Sequence, residues 1–221
     1  MLSEIRHNLQ PFHVKLVAVS KTKTKFEILE LYRQGHRDFG ENRVQELLDK
    51  KPELPEDIRW HFVGHLQTNK VKNLSDFIYL IHSVDNLRLL SEINKQGEKM
   101  GRKIQVLIQI KIAHEITKYG VEPEQIDLFF NDPIWHELPF VDVNGVMGMA
   151  SFVRDENQIR QEFRKLKSIH DYLKDKYFHN IDTFREISMG MSGDYHIALE
   201  EGSTMVRIGT LLFGPRINPE L

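Results

Sequence analysis

A closed (β/α)8 TIM barrel forming a single domain is the fold this sequence predicts, on three observations. Eight short apolar, β-branched runs alternate with amphipathic stretches, the pattern of parallel βαβ units. Eight is the strand number that closes such a barrel, and 221 residues suits a fold that often runs to ~200–250 as one unit. No linker, low-complexity tract or shift in composition divides residues 1–221. An open doubly wound sheet is the competing arrangement. The absence of a GxGxxG after the first strand weighs against its dinucleotide-binding form.

The elements follow in order. A short helix is expected at about 2–10. The candidate strands are Leu16–Ser20, Arg37–Phe39, Arg59–Gly64, Ile78–Ser83, Ile104–Ile110, Val141–Met147, Phe184–Ser188 and Thr204–Ile208. Between them, Lys25–Gln34 carries apolar residues at Phe26, Leu29 and Tyr32, and Asn86–Met100 is a longer helix. Glu156–Tyr177 sets Ile159, Phe163, Leu166, Ile169, Tyr172 and Leu173 at helical spacing. The stretch Asn131–Phe140, with two prolines, reads as an extended loop.

Composition excludes several classes. A net charge of −2 gives no electrostatic case for nucleic acid or an anionic membrane surface. The chain has no cysteine, which removes disulfides, thiolate metal sites and cysteine nucleophiles. The start MLSEIRHNLQPFH has no apolar core of a signal peptide, and no apolar run approaches the ~18 residues of a membrane span. A cytoplasmic protein is expected, so the sequon Asn73-Leu74-Ser75 is not expected to carry glycan.

Barrel logic locates a candidate site. In this fold the site lies at the C-terminal ends of the strands, and phosphate often binds at the loops after strands seven and eight. The turn Met191–Asp194 follows strand seven, and Gly209-Thr210 follows strand eight. Ser192 stands where a helix N-cap would be, and unpaired N–H groups at a helix start attract anions. The plainer reading is that these glycines simply make tight turns. In MVRIG, Met205, Arg207 and Gly209 share the inward face, so Arg207 is aimed at either an inward carboxylate or a ligand. Lys21 ends the apolar run LVAVSK on the face of Val17 and Val19. A lysine there is a solvated rim residue or, with a depressed pKa, a Schiff-base amine. Lys23 and Lys25 are expected to be solvated. An inward lysine, a phosphate cup and an arginine between them match what pyridoxal 5′-phosphate (PLP) requires.

The segments LVAVSKTK, GENRVQE, WHFVGHLQTNK, SMGMSGD and STMVRIGTLLFG resemble the signature segments of the pyridoxal-phosphate homeostasis protein family, a single-domain relative of the barrel in bacterial alanine racemase. The resemblance covers nearly the whole chain in order. It implies that Lys21 holds the cofactor as a Schiff base, that Ser192, Gly209 and Thr210 contact its phosphate, and that Arg207 faces its pyridine nitrogen. It implies also that Asn42 and His61 lie near the ring and that Met147 and Met189 pack against the site. One turn departs from the pattern: Lys111-Ile112-Ala113-His114 replaces a small polar Asn-(Thr/Ser)-Ser turn, while Glu115, Lys118 and Gly120 still match.

Two apparent metal motifs are dismissed. His114-Glu115-Ile116-Thr117-Lys118 imitates HExxH with a lysine in place of the second ligand. His61 and His65 lie in a strand and its following loop, where a spacing of four does not bring them together. Metal is therefore not expected. An arginine at the pyridine nitrogen disfavours the protonated ring that acts as an electron sink, and racemisation needs acid/base groups on both faces. Alanine racemase takes its opposite tyrosine from a second domain, for which no chain is expected here. The expectation is a monomeric, non-catalytic carrier or buffer of PLP, with apo PLP enzymes as recipients. A low-activity racemase and a sugar-phosphate barrel enzyme using Lys21 are the alternatives.

Overall fold

Alternation along each short strand sorts side chains into two layers. In β1 (Lys15–Val19), Leu16 and Ala18 join the large cluster under the helices, while Val17 joins a small inner cluster with Leu80, Leu107, Met147 and Met205. The computed structural model describes residues 1–113 and 119–215. Its other strands are β2 (Asp38–Glu41), β3 (Arg59–Phe62), β4 (Leu80–Val84), β5 (Ile104–Gln109), β6 (Val141–Met147), β7 (Glu186–Ser188) and β8 (Met205–Ile208). All pair in parallel, in sequence order, and β8 returns to β1 through Val17↔Arg207 and Ala18↔Ile208. The barrel is closed. It is the (β/α)8 fold.

The helices are α1 (Leu2–Leu9), α2 (Lys25–Arg33), α3 (Val44–Lys50), α4 (Leu87–Met100), α5 (Ile126–Phe130), α6 (Glu156–Lys176), α7 (Tyr195–Glu200) and α8 (Thr210–Phe213). Local chemistry fixes their ends. Thr24 and Glu27 form a reciprocal capping box at the start of α2. Asn86 caps α4, which stops at Gly101 in a left-handed conformation, φ +63°. Asp155 accepts from Asn157 and Gln158 at the head of α6. Within β6, Gly145 has φ +149°, and a Cβ there would lie 1.9 Å from the Glu186 carbonyl oxygen. The resulting register shift against β5 returns Met147 to the inner face.

Several expectations need correction. α2 buries Ile28 and Leu31, while Phe26 lies 62% exposed. On α6, Tyr172 faces solvent and donates to Asp127 Oδ1 at 2.6 Å, so the buried stripe is Ile159, Phe163, Leu166 and Leu173. Strand β2 continues through Gly40 to Glu41, because Glu41 finds a buried partner in Lys50. Pro133–Glu137 is a 3-10 turn capped by Asp132, and Trp135 stacks on Phe130 at 4.9 Å. The stretch expected as a loop is therefore ordered by aromatic packing. Among the described residues, no helix is long and apolar enough to cross a membrane. Nor is there, among them, a group of three or more His, Cys, Asp or Glu that could hold a metal ion. Glu115, Lys118 and the HExxH-like run from His114 lie outside the described residues.

Candidate functional site at the C-terminal mouth of the barrel

Lys21 leaves β1 at the C-terminal end of the barrel and is half-buried. The residues around it are fixed from beneath. The Ser20 N–H donates to the Gly40 carbonyl at 2.9 Å, and Ser20 Oγ donates to Glu41 Oε1 at 2.6 Å. The Thr22 N–H donates to Glu46 Oε1 at 2.5 Å, and Thr22 itself takes φ +64°. A β-branched residue rarely adopts that conformation, so the turn carrying Lys21 is held against local preference. Lys23 is not solvated as expected: Nζ donates to the Phe213 carbonyl at 2.9 Å and pairs with Glu27 at 3.3 Å. Closure of the barrel brings the end of α8 over the β1 loop and supplies the Phe213 carbonyl, while Glu27 comes from the first turn of α2. Lys25 pairs with Glu53 at the surface.

The neighbouring turns come from β7 and β8. Gly190 has φ +94°, and a Cβ there would lie 2.6 Å from Ala198 Cβ, so glycine is required for the turn to approach α7. Ser192 is not the N-cap of α7; that position belongs to Asp194, whose Oδ1 accepts from the Met191 N–H at 2.6 Å. The helix starts two residues later than the glycine-rich spacing suggested. Ser192 Oγ instead accepts from the N–H groups of Gly209, at 3.3 Å, and Leu211, at 3.4 Å. The hydroxyl thus joins the turn after β7 to the head of α8. Gly209 is half-buried beside it and Thr210 exposed.

Arg207 points into the barrel and is 4% exposed. Nη1 donates to Ser188 Oγ at 2.6 Å and Nη2 to the Gly148 carbonyl at 3.0 Å. Burial pulls its pKa down to about 10, and the group remains cationic at neutral pH. Asn42 is half-buried and lines a cleft with Phe62, His65, Gln67 and Lys70.

Two expected site residues sit elsewhere. Met189 packs in the outer cluster beneath the helices, because alternation from the inward Ser188 turns the next side chain outward. Its backbone is occupied too, the N–H by the Met205 carbonyl and the carbonyl by Ser203 Oγ. His61 is inside the barrel but tied away from the mouth. Nε2 meets Asp38 Oδ1 at 3.1 Å and Nδ1 meets His82 Nε2 at 2.9 Å, so both ring nitrogens are engaged. Lys111 pairs with Glu122 at 2.6 Å. Met147 does face the inner cluster.

Sequence reasoning missed Ser188, His82 and the Glu41–Lys50–Glu46 group. His82 interrupts the apolar strand LIHSV, and that interruption was the available signal; Ser188 ends the short strand EIS, where no such contrast marks it. Both are fully buried.

Comparison with known proteins gives a consistent set of likenesses. The alanine racemase N-terminal domain matches residues 2–217. A pyridoxal phosphate homeostasis protein of Aquifex aeolicus is 45% identical over 203 residues, covering 91% of this chain and 87% of the relative. PipY of Synechococcus elongatus, solved without PLP, superposes with a TM-score of 0.87 at 34% identity, over 96% of this chain and 98% of its own. The same protein solved with PLP bound gives 0.81 at 32% identity over equal shares.

Proposed function

The chain belongs to the alanine racemase N-terminal domain family and, within it, to the pyridoxal phosphate homeostasis proteins, and we propose that it binds pyridoxal 5′-phosphate at the barrel mouth. In this reading the Lys21 amine adds to the cofactor aldehyde and water leaves, forming a Schiff base. Ser192, Gly209 and Thr210 receive the phosphate, Arg207 faces the pyridine nitrogen, and Asn42 flanks the ring. The observation that carries it is the β1–β8 register. Val17 pairs with Arg207, and Lys21 therefore leaves its strand beside the Gly209–Thr210 turn. Lys21, Arg207 and the Gly209–Thr210 turn then fall on two neighbouring strands and the turns that leave them, with Ser192 beside them on the turn after β7.

The protein acts as a cytoplasmic, monomeric carrier or buffer that passes PLP to apo enzymes, rather than as a robust catalyst. Arg207 supports this. A permanent cation at the pyridine nitrogen opposes the protonated ring on which amino-acid chemistry depends. The match to an alanine racemase domain favours, as a second reading, a low-activity racemase. Borohydride reduction of the loaded protein followed by peptide mapping tests the cofactor reading. The adduct is expected on Lys21; an adduct on Lys23, or none, would sink it.

A further inference from the structure

A continuous chain of hydrogen bonds crosses the barrel below the mouth, buried along its length and part-exposed only at its Asp38 end. Arg207 Nη1 meets Ser188 Oγ at 2.6 Å, and Ser188 Oγ meets His82 Nδ1 at 3.0 Å. His82 Nε2 meets His61 Nδ1 at 2.9 Å, and His61 Nε2 meets Asp38 Oδ1 at 3.1 Å. Asp38 is gripped at the far end by Arg59, Nε to Oδ1 at 2.7 Å and Nη2 to Oδ2 at 2.5 Å. The five residues come from β8, β7, β4, β3 and β2. The two side-chain bonds of Arg207 go to Ser188 and to the Gly148 carbonyl rather than to a carboxylate, and the carboxylate charge that acts on it directly is that of Asp194.

We propose that Asp38 is a second, relayed counter-charge of Arg207 from the far end of the barrel, with Ser188, His82 and His61 as positioning residues that hold the guanidinium in one donor geometry at the cofactor site. The proposal rests on the PLP reading only for what Arg207 faces. The direction of the chain is forced by its ends. An arginine only donates and a carboxylate only accepts, so with both rings singly protonated Ser188 accepts from Arg207 and gives its own hydrogen to His82 Nδ1. His82 then donates from Nε2 to His61 Nδ1, and His61 donates from Nε2 to Asp38, a carboxylate that only accepts. Every bond runs the same way, from cation to anion.

The reverse order puts a bare imidazole lone pair against an ionised carboxylate. Burial pushes the Asp38 carboxyl up, but the bonds from Arg59 and His61 outweigh it and hold it well below the usual range. Burial also keeps His61 and His82 neutral, and for His82 the neighbouring His61 and Arg207 add to the effect. Aligned bonds in a low-dielectric interior polarise one another, so a change at Asp38 reaches Arg207. Asp38 lines an opening at the N-terminal end of the barrel with Arg6, Lys15 and Arg37, so the anchor lies at the opposite end from the ligand.

Nitrogen-15 NMR of the ligand-free protein at neutral pH tests the arrangement without the cofactor. Both His61 and His82 should carry hydrogen on Nε2 alone; an Nδ1–H form or an imidazolium on either ring would overturn the proposal. Asp38→Asn, which donates as well as accepts, should release that tautomer bias. It should also weaken PLP retention about tenfold, within the coupling seen in connected networks, and shift the visible band of the bound cofactor. Ser188→Ala, which cuts the chain next to Arg207, should shift the same band while leaving His61 bonded to Asp38. Unchanged tautomers together with unchanged affinity in Asp38→Asn would refute the relay. Failure of the wild-type protein to bind PLP would refute the cofactor reading instead, and the wild-type NMR result would still decide the chain.

Discussion

Lys50, in the last turn of α3, donates from Nζ to the backbone carbonyl of Ser20 at 2.8 Å, one residue before Lys21. The same ammonium reaches Glu41 Oε1 at 2.8 Å and Glu46 Oε1 at 2.6 Å, so its three hydrogens are all used. Glu46 also takes the Thr22 N–H on the other side of Lys21. One buried cation therefore clamps both shoulders of the candidate ligand lysine. Burial raises the Glu41 carboxyl pKa despite Lys50, which marks how much the site depends on that ammonium.

Lys50→Met should cost ~3–5 kcal/mol, because it leaves a buried glutamate without its cation. The double variant Glu41→Gln/Lys50→Met should recover part of that loss. Urea unfolding of the three proteins measures it. Equal stability of Lys50→Met and wild type would show that the clamp contributes nothing.

The phosphate turn gives a prediction about ligand choice. Hydrogen bonds to a charged acceptor contribute ~1.5–3 kcal/mol each, and pyridoxal offers no phosphate to Ser192, Gly209 or Thr210. Pyridoxal should bind weaker than PLP by ~tenfold or more, and Ser192→Ala should narrow the difference. Titration that gives equal affinities would argue against a phosphate cup at this corner.

Acid should destabilise the fold before most carboxylates titrate. Burial lowers the His36 pKa from 6.5 to about 4, with Nε2 held by the Asp38 carbonyl at 2.8 Å. The unfolded chain binds that proton more readily, so stability is full above the unfolded value and falls as pH drops from about 6.5 toward about 4. At ~1.4 kcal/mol per unit, His36 alone contributes ~3 kcal/mol across that window. His61 and His82 act with the same sign. In His36→Gln the slope of unfolding free energy against pH should flatten.

Carrier and racemase separate by isotope exchange. In deuterated solvent the wild-type protein loaded with PLP should exchange the α-hydrogen of alanine far more slowly than the ~1–1,000 per second of ordinary enzymes. Chiral analysis should find no inversion. Rapid exchange with inversion would make the racemase reading correct.

The sequence by itself determined the barrel and the inward aim of Arg207. Both follow from local rules: eight apolar runs of period two separated by helical periods, and alternation that opposes Arg207 to Val206 and Ile208. Lys21 and Gly209 could be set at the C-terminal end of the barrel for the same reason, since each directly follows an expected strand, while the turn Met191–Asp194 comes slightly later after its own. Tertiary structure alone decided who meets whom inside. His82 lies 106 residues from Ser188, and only closure of β8 onto β1 sets the strands that bring them within 3.0 Å. Pairing of neighbouring strands hands the N–H groups of Gly209 and Leu211 to Ser192 across β7 and β8, and turns His61 of β3 toward Asp38 of β2. Met189 went outward because strand β7 keeps Ser188 inside. A strand pattern fixes which face a side chain takes, but the partner it finds across a barrel depends on register between strands distant in sequence.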